Sequence, residues 1–440
     1  MLHITMRRLK VTGTGLLLSF TILISNQVSA QTTDALGTYT PYSIFGIGDI
    51  SKPGTTYNKS MGGIGIGVKD PKYINYLNPA AIVERDSISF MADFGVEQKN
   101  NYISGNGASS AYNSFNMHHV LISFPLYKKS AMVIGAVPYS NVGYKFAETE
   151  MDPVLINEMG NIQYQKYGTG SINTIFAGAS MKLFKNLAVG VEGIYYFGTI
   201  DRYSNVVFGS SSTYRQISTG YDYVVGAFSA KAGLQYTQKL SSNINATLGA
   251  TYTLKAKLNG DLTRYAIASN VAGSLDTIIF NKTNNTQMEI PSETAIGISV
   301  RKTDKWMIGA DYVRQDWTNT DFTATPGVDF KQGKSSSWKF GFEYTPNMYD
   351  VRYYMKRVTF RGGLYYDQSY MNVSGYQVNS KGITLGVSLP ISRWYNSLGL
   401  TLDIGQRGTS SNELVKENYV MFGISFALHD ITWFHKVKYE

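Results

Sequence analysis

The sequence contains no cysteine among its 440 residues, and this absence excludes several kinds of site. A disulfide framework, a thiolate metal centre and a cysteine nucleophile are all unavailable. Proline is also scarce, with 11 residues against 43 glycines. Beyond residue 30, no apolar run approaches the ~20 residues that a membrane-spanning helix needs. If the chain enters a membrane, it must do so with strands.

Charged residues make up only 16% of the chain, and their balance is mildly basic. The sequence has 40 Lys and Arg against 31 Asp and Glu, a formal net charge of +9. The basic residues do not form the dense patch with which proteins follow a phosphate backbone. Nucleic acid is therefore not expected as a partner.

The first thirty residues have the features of an export signal. Arg7, Arg8 and Lys10 precede an apolar stretch over residues 11–24, and Ala30 supplies the small residue before a cleavage site. We therefore expect residues 1–30 to be removed, and we exclude them from the fold.

From residue 87 onward, apolar and polar residues alternate with a period of two. In residues 244–255, Leu248 and Leu254 belong to an apolar face, whereas Thr247 and Thr253 belong to a polar face. This period is that of a β-strand with one apolar and one polar face. The pattern predicts about fourteen strands between residues 87 and 428.

The connections between these strands alternate in length. Tight turns are predicted near residues 128, 185 and 303, whereas the segments 99–114, 147–170 and 259–292 are predicted as long loops. Short turns on one side, long loops on the other and an even strand number are typical of a bacterial outer-membrane barrel. The expected fold class is all-β, a transmembrane antiparallel β-barrel of about fourteen strands.

A soluble β-sandwich or propeller would alternate in the same way, because any sheet with one wet face has this period. The barrel is favoured by the export signal, the aromatic content and the loop pattern taken together. In a barrel, the polar face lines the lumen. The expected lumen charges are Asp93, Glu97, Glu192, Lys231, Arg301, Asp311, Arg361, Asp367 and Asp403.

Residues 31–86 do not alternate and are rich in Gly, Pro and Tyr, as in YTPYSIFGIGD at 39–49. Irregular backbone is tolerated at membrane depth only where it is buried in protein or lines a wet cavity. A barrel of about fourteen strands has a lumen wider than its wall side chains can fill. We therefore expect this segment to plug the lumen.

The stretch SMGGIGIGVKDPKYINYLNPAA at residues 60–81 resembles the N-terminal hatch of the FadL/TodX family of outer-membrane transport proteins. The resemblance implies a barrel that carries long-chain fatty acids or aromatic hydrocarbons across the outer membrane. The opening YTPYSIFGIGD and the tail WFHKVKY are similar to the Bacteroidetes-type branch of that family. The hatch residues that the resemblance implies are Ser60, Gly62, Gly63, Gly65 and Gly67, with a hatch triplet at Asn78, Pro79 and Ala80.

The predicted domains are a signal peptide at 1–30, a hatch at 31–86, a barrel at 87–428 and a short periplasmic tail at 429–440. Glycine gives the hatch conformational freedom. That freedom suits a plug that moves for a ligand and, equally, a plug that is passive.

The remaining residue patterns favour neither catalysis nor metal binding. His118 and His119 are neighbours on a predicted strand, so they are expected on opposite faces, where they cannot chelate one ion. Neither a G-x-S-x-G nor an H-E-x-x-H motif occurs in the sequence. We predict no metal, no cofactor and no enzymatic activity.

Several apolar residues fall at inward positions, where they either line a ligand pocket or pack against the hatch: Met91, Phe176, Ile194, Tyr196, Val225 and Tyr365. The leading hypothesis is passive uptake of hydrophobic small molecules, such as long-chain fatty acids, by an outer-membrane channel or binding barrel. The alternative is a non-transporting barrel that acts as a scaffold or shuttle subunit in protein secretion or barrel assembly. The expected partners are outer-membrane lipid and a hydrophobic ligand, joined under the alternative by outer-membrane proteins.

Overall fold

The computed structural model describes residues 36–85, 89–105, 107–127, 129–209, 214–269, 275–320, 329–392, 396–410 and 414–430. The predicted signal peptide and most of the predicted tail lie outside these residues. Short helices occur at α1 (Thr56–Lys59) and α2 (Pro153–Met159), with 3-10 turns at Pro41–Ile44, Pro79–Ala81 and Tyr354–Lys356. The strands are β1 (Asp49–Ile50), β2 (Phe90–Gly105), β3 (Ala108–Tyr127), β4 (Ser130–Thr149), β5 (Ile162–Lys182), β6 (Leu187–Phe208), β7 (Gln216–Ser241), β8 (Ile244–Thr253), β9 (Ala256–Ser269), β10 (Leu275–Ile290), β11 (Glu293–Lys302), β12 (Trp306–Asp316), β13 (Phe330–Gln332), β14 (Lys334–Tyr344), β15 (Thr359–Val373), β16 (Tyr376–Ser392), β17 (Asn396–Arg407) and β18 (Lys416–Asp430).

Strands β2 to β18 form one closed antiparallel wall. Closure is made by β18 and β2, which pair from Lys416 opposite Ser104 to Asp430 opposite Phe90. Three wall strands are interrupted and appear as the pairs β8/β9, β10/β11 and β13/β14, so the wall has fourteen strands. The predicted fourteen-stranded antiparallel barrel is thereby confirmed.

The outer face of the wall is apolar. Large side chains from strands all around the barrel are exposed, among them Phe94, Ile122, Ile175, Leu248, Ile298, Phe340, Leu364, Ile383 and Phe422. An outward apolar band of this kind is the lipid-facing surface of an outer-membrane barrel. The protein is therefore an outer-membrane barrel. Separately, none of the helices in the described residues has the length and apolar character to cross a membrane.

Several strands are longer than the alternation predicts. Strand β2 runs to Gly105 and strand β3 begins at Ala108, so strands occupy most of the segment 99–114 that was predicted as a long loop. Strand β7 has 26 residues, whereas crossing a bilayer takes ~10. Outside the bilayer both faces of a strand meet water, so the apolar face disappears from the sequence while the strand continues. The prediction of a loop at 99–114 was wrong for this reason.

The placement of the two adjacent histidines also differs from the prediction. A β-bulge makes His118 an extra residue between the Gly95–His119 and Val96–Met117 pairs. Both rings are therefore buried, with Nδ1 of His118 2.6 Å from Nδ1 of His119, whose Nε2 is 3.0 Å from Asp93 Oδ1. The prediction of opposite faces was wrong because a bulge resets the alternation. In the part of the chain that the structure describes, no three His, Cys, Asp or Glu side chains are grouped to hold a metal ion.

Strands β3 and β4 pair only up to Val120 opposite Ala136. Beyond that point, chain from the N-terminus takes the place of β3 beside β4. Strand β1 pairs with Ser140 and Asn141, and the Thr40 amide donates to the Gly143 carbonyl at 3.0 Å. Residues 40–50 therefore complete the edge of β4 at this point.

Candidate functional site

The candidate site is the contact between the N-terminal segment, defined here as residues 36–85, and the inner face of the wall. The segment has little regular structure, yet most of its residues are buried. Met61, Ile64 and Asn58 have no exposed surface. Irregular backbone that is buried this way needs polar partners for its amides and carbonyls.

The first feature of the site is backbone contact at glycines. A Cβ atom added at Gly341 would lie within 3.0 Å of the Met61 carbonyl, and one added at Gly363 would lie as close to the Gly62 amide. Any side chain at these wall positions would displace the segment. Seven strands carry such a glycine facing residues 60–67 or 78–79: Gly190, Gly233, Gly249, Gly297, Gly341, Gly363 and Gly386.

Glycines in the N-terminal segment also allow its backbone to lie close to the wall. Gly62 and Gly63 have φ angles of +69° and +84°, a region that side chains other than hydrogen disfavour. The Gly62 amide donates to Thr384 Oγ1 at 2.7 Å, and the Gly67 carbonyl accepts from Ser299 Oγ at 2.7 Å. The glycines of residues 60–67 thus allow a turn that lies flat on the wall.

Asp311 on β12 is the main polar anchor of this turn. Its Oδ2 accepts from the Gly65 amide at 2.6 Å and from the Ile66 amide at 2.8 Å. The carboxylate is buried, at 4% exposure. Hydrogen bonds from amides to a carboxylate are stronger than those to a neutral acceptor.

The predicted hatch triplet forms a second anchor. Asn78 caps the 3-10 turn through its Oδ1, which accepts from the Ala80 amide at 3.0 Å. Its Nδ2 donates to the Ile66 carbonyl at 2.8 Å and to the Leu234 carbonyl of β7 at 3.2 Å. Pro79 lies against Gly190 of β6. Asn78 therefore ties two parts of the segment to the wall.

Ion pairs add a third set of contacts. Lys52 Nζ lies 2.7 Å from Asp403 Oδ2, and Lys59 Nζ lies 2.6 Å from Glu97 Oε2. In each pair the cation comes from the segment and the anion from the wall. A third pair has the opposite arrangement, with Arg301 of the wall 3.0 Å from Asp70 of the segment.

The structure places all nine predicted lumen charges on the inner side of the wall. Asp93 contacts His119, Glu192 lies opposite Lys231 on the paired strand, and Asp367 accepts from Ser337. Arg361 pairs with Glu343 at 2.8 Å, which in turn contacts Arg301. Their partners on the segment, Lys52, Lys59 and Asp70, were not predicted because no periodicity marks them.

A chamber remains between the segment and the wall, in two lobes. One lobe of about 240 Å³ has a mixed lining that includes the paired Lys52 and Asp403 together with Tyr365. The other, about 220 Å³, is largely apolar. Of the predicted lining residues, Phe176, Ile194 and Tyr196 meet in the apolar lobe, whereas Met91 and Val225 are buried but line neither lobe.

We compared the sequence and the fold of this chain with those of known proteins. The BamG family model matches residues 14–440 of the chain. The chain belongs to the BamG family. No curated protein matches this BamG-family chain in sequence.

Solved structures share the barrel of this BamG-family chain at low sequence identity. The toluene transporter TbuX of Ralstonia pickettii has a TM-score of 0.57 at 17% identity, over 86% of this chain and 98% of TbuX. The monoaromatic hydrocarbon channel CymD has a TM-score of 0.56 at 15% identity, over 87% of this chain and 98% of CymD. A FadL homologue from Pseudomonas aeruginosa has a TM-score of 0.54 at 13% identity, over 87% of this chain and all (100%) of that chain. The fold is thus that of FadL/TodX-type channels.

The glycine contact is testable with a matched pair of variants. Gly341→Ala forces a Cβ into the Met61 carbonyl, so the folded barrel should lose ~1–3 kcal/mol of stability, the usual cost of overpacking. Gly193→Ala is the control, because no atom lies within 4 Å of its added Cβ. The stability of both variants is measured as the urea concentration at the midpoint of unfolding in detergent micelles. Equal midpoints for the two variants would contradict the close contact.

The Asp311 anchor predicts a second difference. Asp311→Ala leaves two buried amides without their acceptor, so we expect a loss of ~1–3 kcal/mol in unfolding free energy and faster proteolysis within residues 60–70. Asp276→Ala is the control, because Asp276 forms an exposed ion pair with Arg215, and such pairs contribute ~1 kcal/mol or less. Unchanged proteolysis in Asp311→Ala would show that Asp311 does not hold the segment.

Proposed function

We propose that this protein is a plugged outer-membrane barrel that acts as a structural subunit, a scaffold or shuttle, in an outer-membrane complex for protein secretion or barrel assembly. The observation that carries the proposal is the backbone-to-backbone contact of residues 60–67 with glycines on the wall. A segment held this way fills the lumen at that level. Membership of the BamG family supports the same proposal.

The polar contacts make displacement of the segment costly. Moving residues 52–70 out of place would separate Lys52 from Asp403, Lys59 from Glu97 and Asp70 from Arg301. Leaving a buried charge without its partner costs several kcal/mol. These contacts favour a passive plug over a moving hatch.

The domain limits follow the same proposal. Residues 31–86 form the hatch, residues 87–428 the barrel wall, and residues 1–30 an export signal that is removed. Strand β18 continues to Asp430, and we propose that the tail beyond it lies on the periplasmic side, together with the tight turns.

A disulfide that locks the segment to the wall separates a passive plug from a moving hatch. An added Cβ at Gly399 lies 3.7 Å from the Thr56 Cβ, within the range of disulfide geometry. The variant Thr56→Cys/Gly399→Cys should therefore form a disulfide, and the chain has no other cysteine. If the plug is passive, the oxidised variant keeps full activity in its complex, measured as growth and outer-membrane protein levels in place of the wild type.

The control lock joins wall to wall. Thr401→Cys/Gly423→Cys has an equivalent separation, with the Thr401 Cβ 4.0 Å from an added Cβ at Gly423. Activity lost on oxidation of the segment lock, retained in the control lock and recovered on reduction would overturn the passive plug.

A second candidate function is uptake of hydrophobic small molecules such as long-chain fatty acids. The specific observation in its favour is the apolar lobe of about 220 Å³ lined by Phe176, Ile194 and Tyr196. Ligand pockets combine apolar walls with a few polar groups, and Glu192 and Lys231 also line this lobe. The likeness of the fold to hydrocarbon channels supports the same candidate. Assignment to the Bacteroidetes-type branch remains a prediction.

Filling the apolar lobe tests this second candidate. Ile194→Trp adds volume inside the lobe, so it should reduce uptake of a labelled long-chain fatty acid at least tenfold if the lobe is the ligand site. Val191→Trp is the control, because Val191 lies on the same strand with 64% of its surface exposed on the outer face. Uptake that is equal in both variants, at equal barrel abundance, would exclude the lobe as the route.

A further inference from the structure

The connection between β14 and β15, residues 345–358, differs from the other turns on its side of the barrel. The described connections at 183–186, 242–243 and 303–305 contain two to four residues. The connection at 345–358 contains fourteen residues and has its own folded structure. We call it the 345–358 turn.

Hydrogen bonds hold the 345–358 turn in one conformation. The Asn347 amide donates to the Lys356 carbonyl at 2.8 Å, which closes the turn at its base. At the tip, Asp350 Oδ1 accepts from the amides of Arg352 and Tyr353 at 2.9 and 2.7 Å. The hydrogen bond from the Tyr353 amide is the main reason that the pKa of Asp350 lies below its usual value. The turn is therefore pre-organised rather than a flexible linker.

This ordered turn exposes large apolar side chains. Val351 at the tip is 90% exposed, Met355 63% and Tyr349 59%. Arg352 and Lys356 both lie over the ring of Tyr353, at 5.4 and 4.7 Å from its centroid. Exposed Tyr, Met and Arg are the residues enriched in protein–protein interfaces.

The position of the turn separates it from the lipid-facing surface. Tyr349 donates to Asp304, and Asp304 is also paired with Lys72 of the N-terminal segment at 3.3 Å. Lys72 also lies 2.8 Å from Met348 Sδ. Since Lys72 belongs to the segment on the inner side of the wall, the base of the turn stands over the mouth of the barrel. The aromatic residues next to lipid are instead those at the strand ends, such as Tyr344 and Phe360.

Charge indicates what kind of partner fits. The turn contains three cations, Arg352, Lys356 and Arg357, and one acid, Asp350. The neighbouring turns continue this excess. The charged residues of these turns and of the strand ends beside them are Lys129, Lys182, Lys185, Lys239, Lys302, Asp304 and Lys305. Of these, Lys182 is paired with Glu84 of the N-terminal segment at 3.0 Å. An acidic partner would be attracted to this face of the barrel.

We propose that the 345–358 turn is a docking surface for a periplasmic protein that presents an acidic groove with an apolar floor. Val351 and Met355 would enter the groove, and Arg352 would meet its acidic rim. A small number of such side chains carries most of the binding energy in protein interfaces. The proposal rests on the proposed function, because it names the side on which a complex would assemble.

A photo-crosslinking experiment in intact cells tests the proposal. Val351→p-benzoylphenylalanine is placed in the full-length chain, and Ser242→p-benzoylphenylalanine, in a tight turn on the same side, serves as the control. We expect a light-dependent adduct with an acidic periplasmic protein, identified by mass spectrometry, only from position 351. Adding Arg352→Glu should lower its yield about tenfold, whereas Lys185→Glu should leave it unchanged, because only Arg352 lies in the docking surface.

Three results would overturn the docking surface: no adduct, an adduct with phospholipid alone, or equal loss of the adduct in Arg352→Glu and Lys185→Glu. Heat-modifiable migration on gels shows that each variant is folded. Failure here is distinguishable from failure of the proposed function. A chain that co-purifies stoichiometrically with other proteins but gives no adduct at 351 retains the proposed function and excludes this surface. A chain that co-purifies with no protein contradicts both.

Discussion

The width of the lumen is the constraint on which the rest of this structure depends. A wall of fourteen strands encloses more space than its inward side chains can fill, and an open lumen would be a permanent hole in the membrane. The chain fills much of this space with its own irregular backbone. Because backbone is thinner than packed side chains, it can lie directly on the wall only where the wall has no side chain. The inward glycines on seven strands meet this need.

Filling a lumen with irregular backbone creates a second requirement. Amides and carbonyls outside helices and sheets need partners when they are buried. The wall supplies them with side chains: Asp311 for two amides, Gln235 for the carbonyls of Ile66 and Val68, and Thr384 for Gly62. The inward polar face of the barrel is thus only partly a hydrated surface. At the level of residues 60–67 it is a set of specific acceptors and donors.

The sequence was sufficient to predict what repeats along the chain. Alternation predicts the strand number and the inward charges, because each strand repeats the same physical choice between lipid and lumen. Periodicity does not predict contacts that occur only once in the chain. The bulge at His118 changes one step of one strand, and the His119 ring lies where a side chain at Gly95 would be. Ion pairs such as Lys59 with Glu97 join residues 38 positions apart, and no spacing rule connects them.

The glycine-rich stretch was a clear feature of the sequence, but it was compatible with more than one structural role. The glycines of residues 62–67 indicate a backbone that turns sharply or approaches another chain closely, which suits a moving hatch and a passive plug alike. The contacts in the folded protein favour the passive plug that we propose, because Gly62 faces Gly363 and Gly67 faces Gly297. Glycine opposite glycine removes the space through which a segment would slide. The conformational freedom of glycine allows residues 62–67 to adopt this one conformation on the wall. A passive plug would leave the rims of the barrel, rather than its lumen, as the surfaces on which other molecules bind.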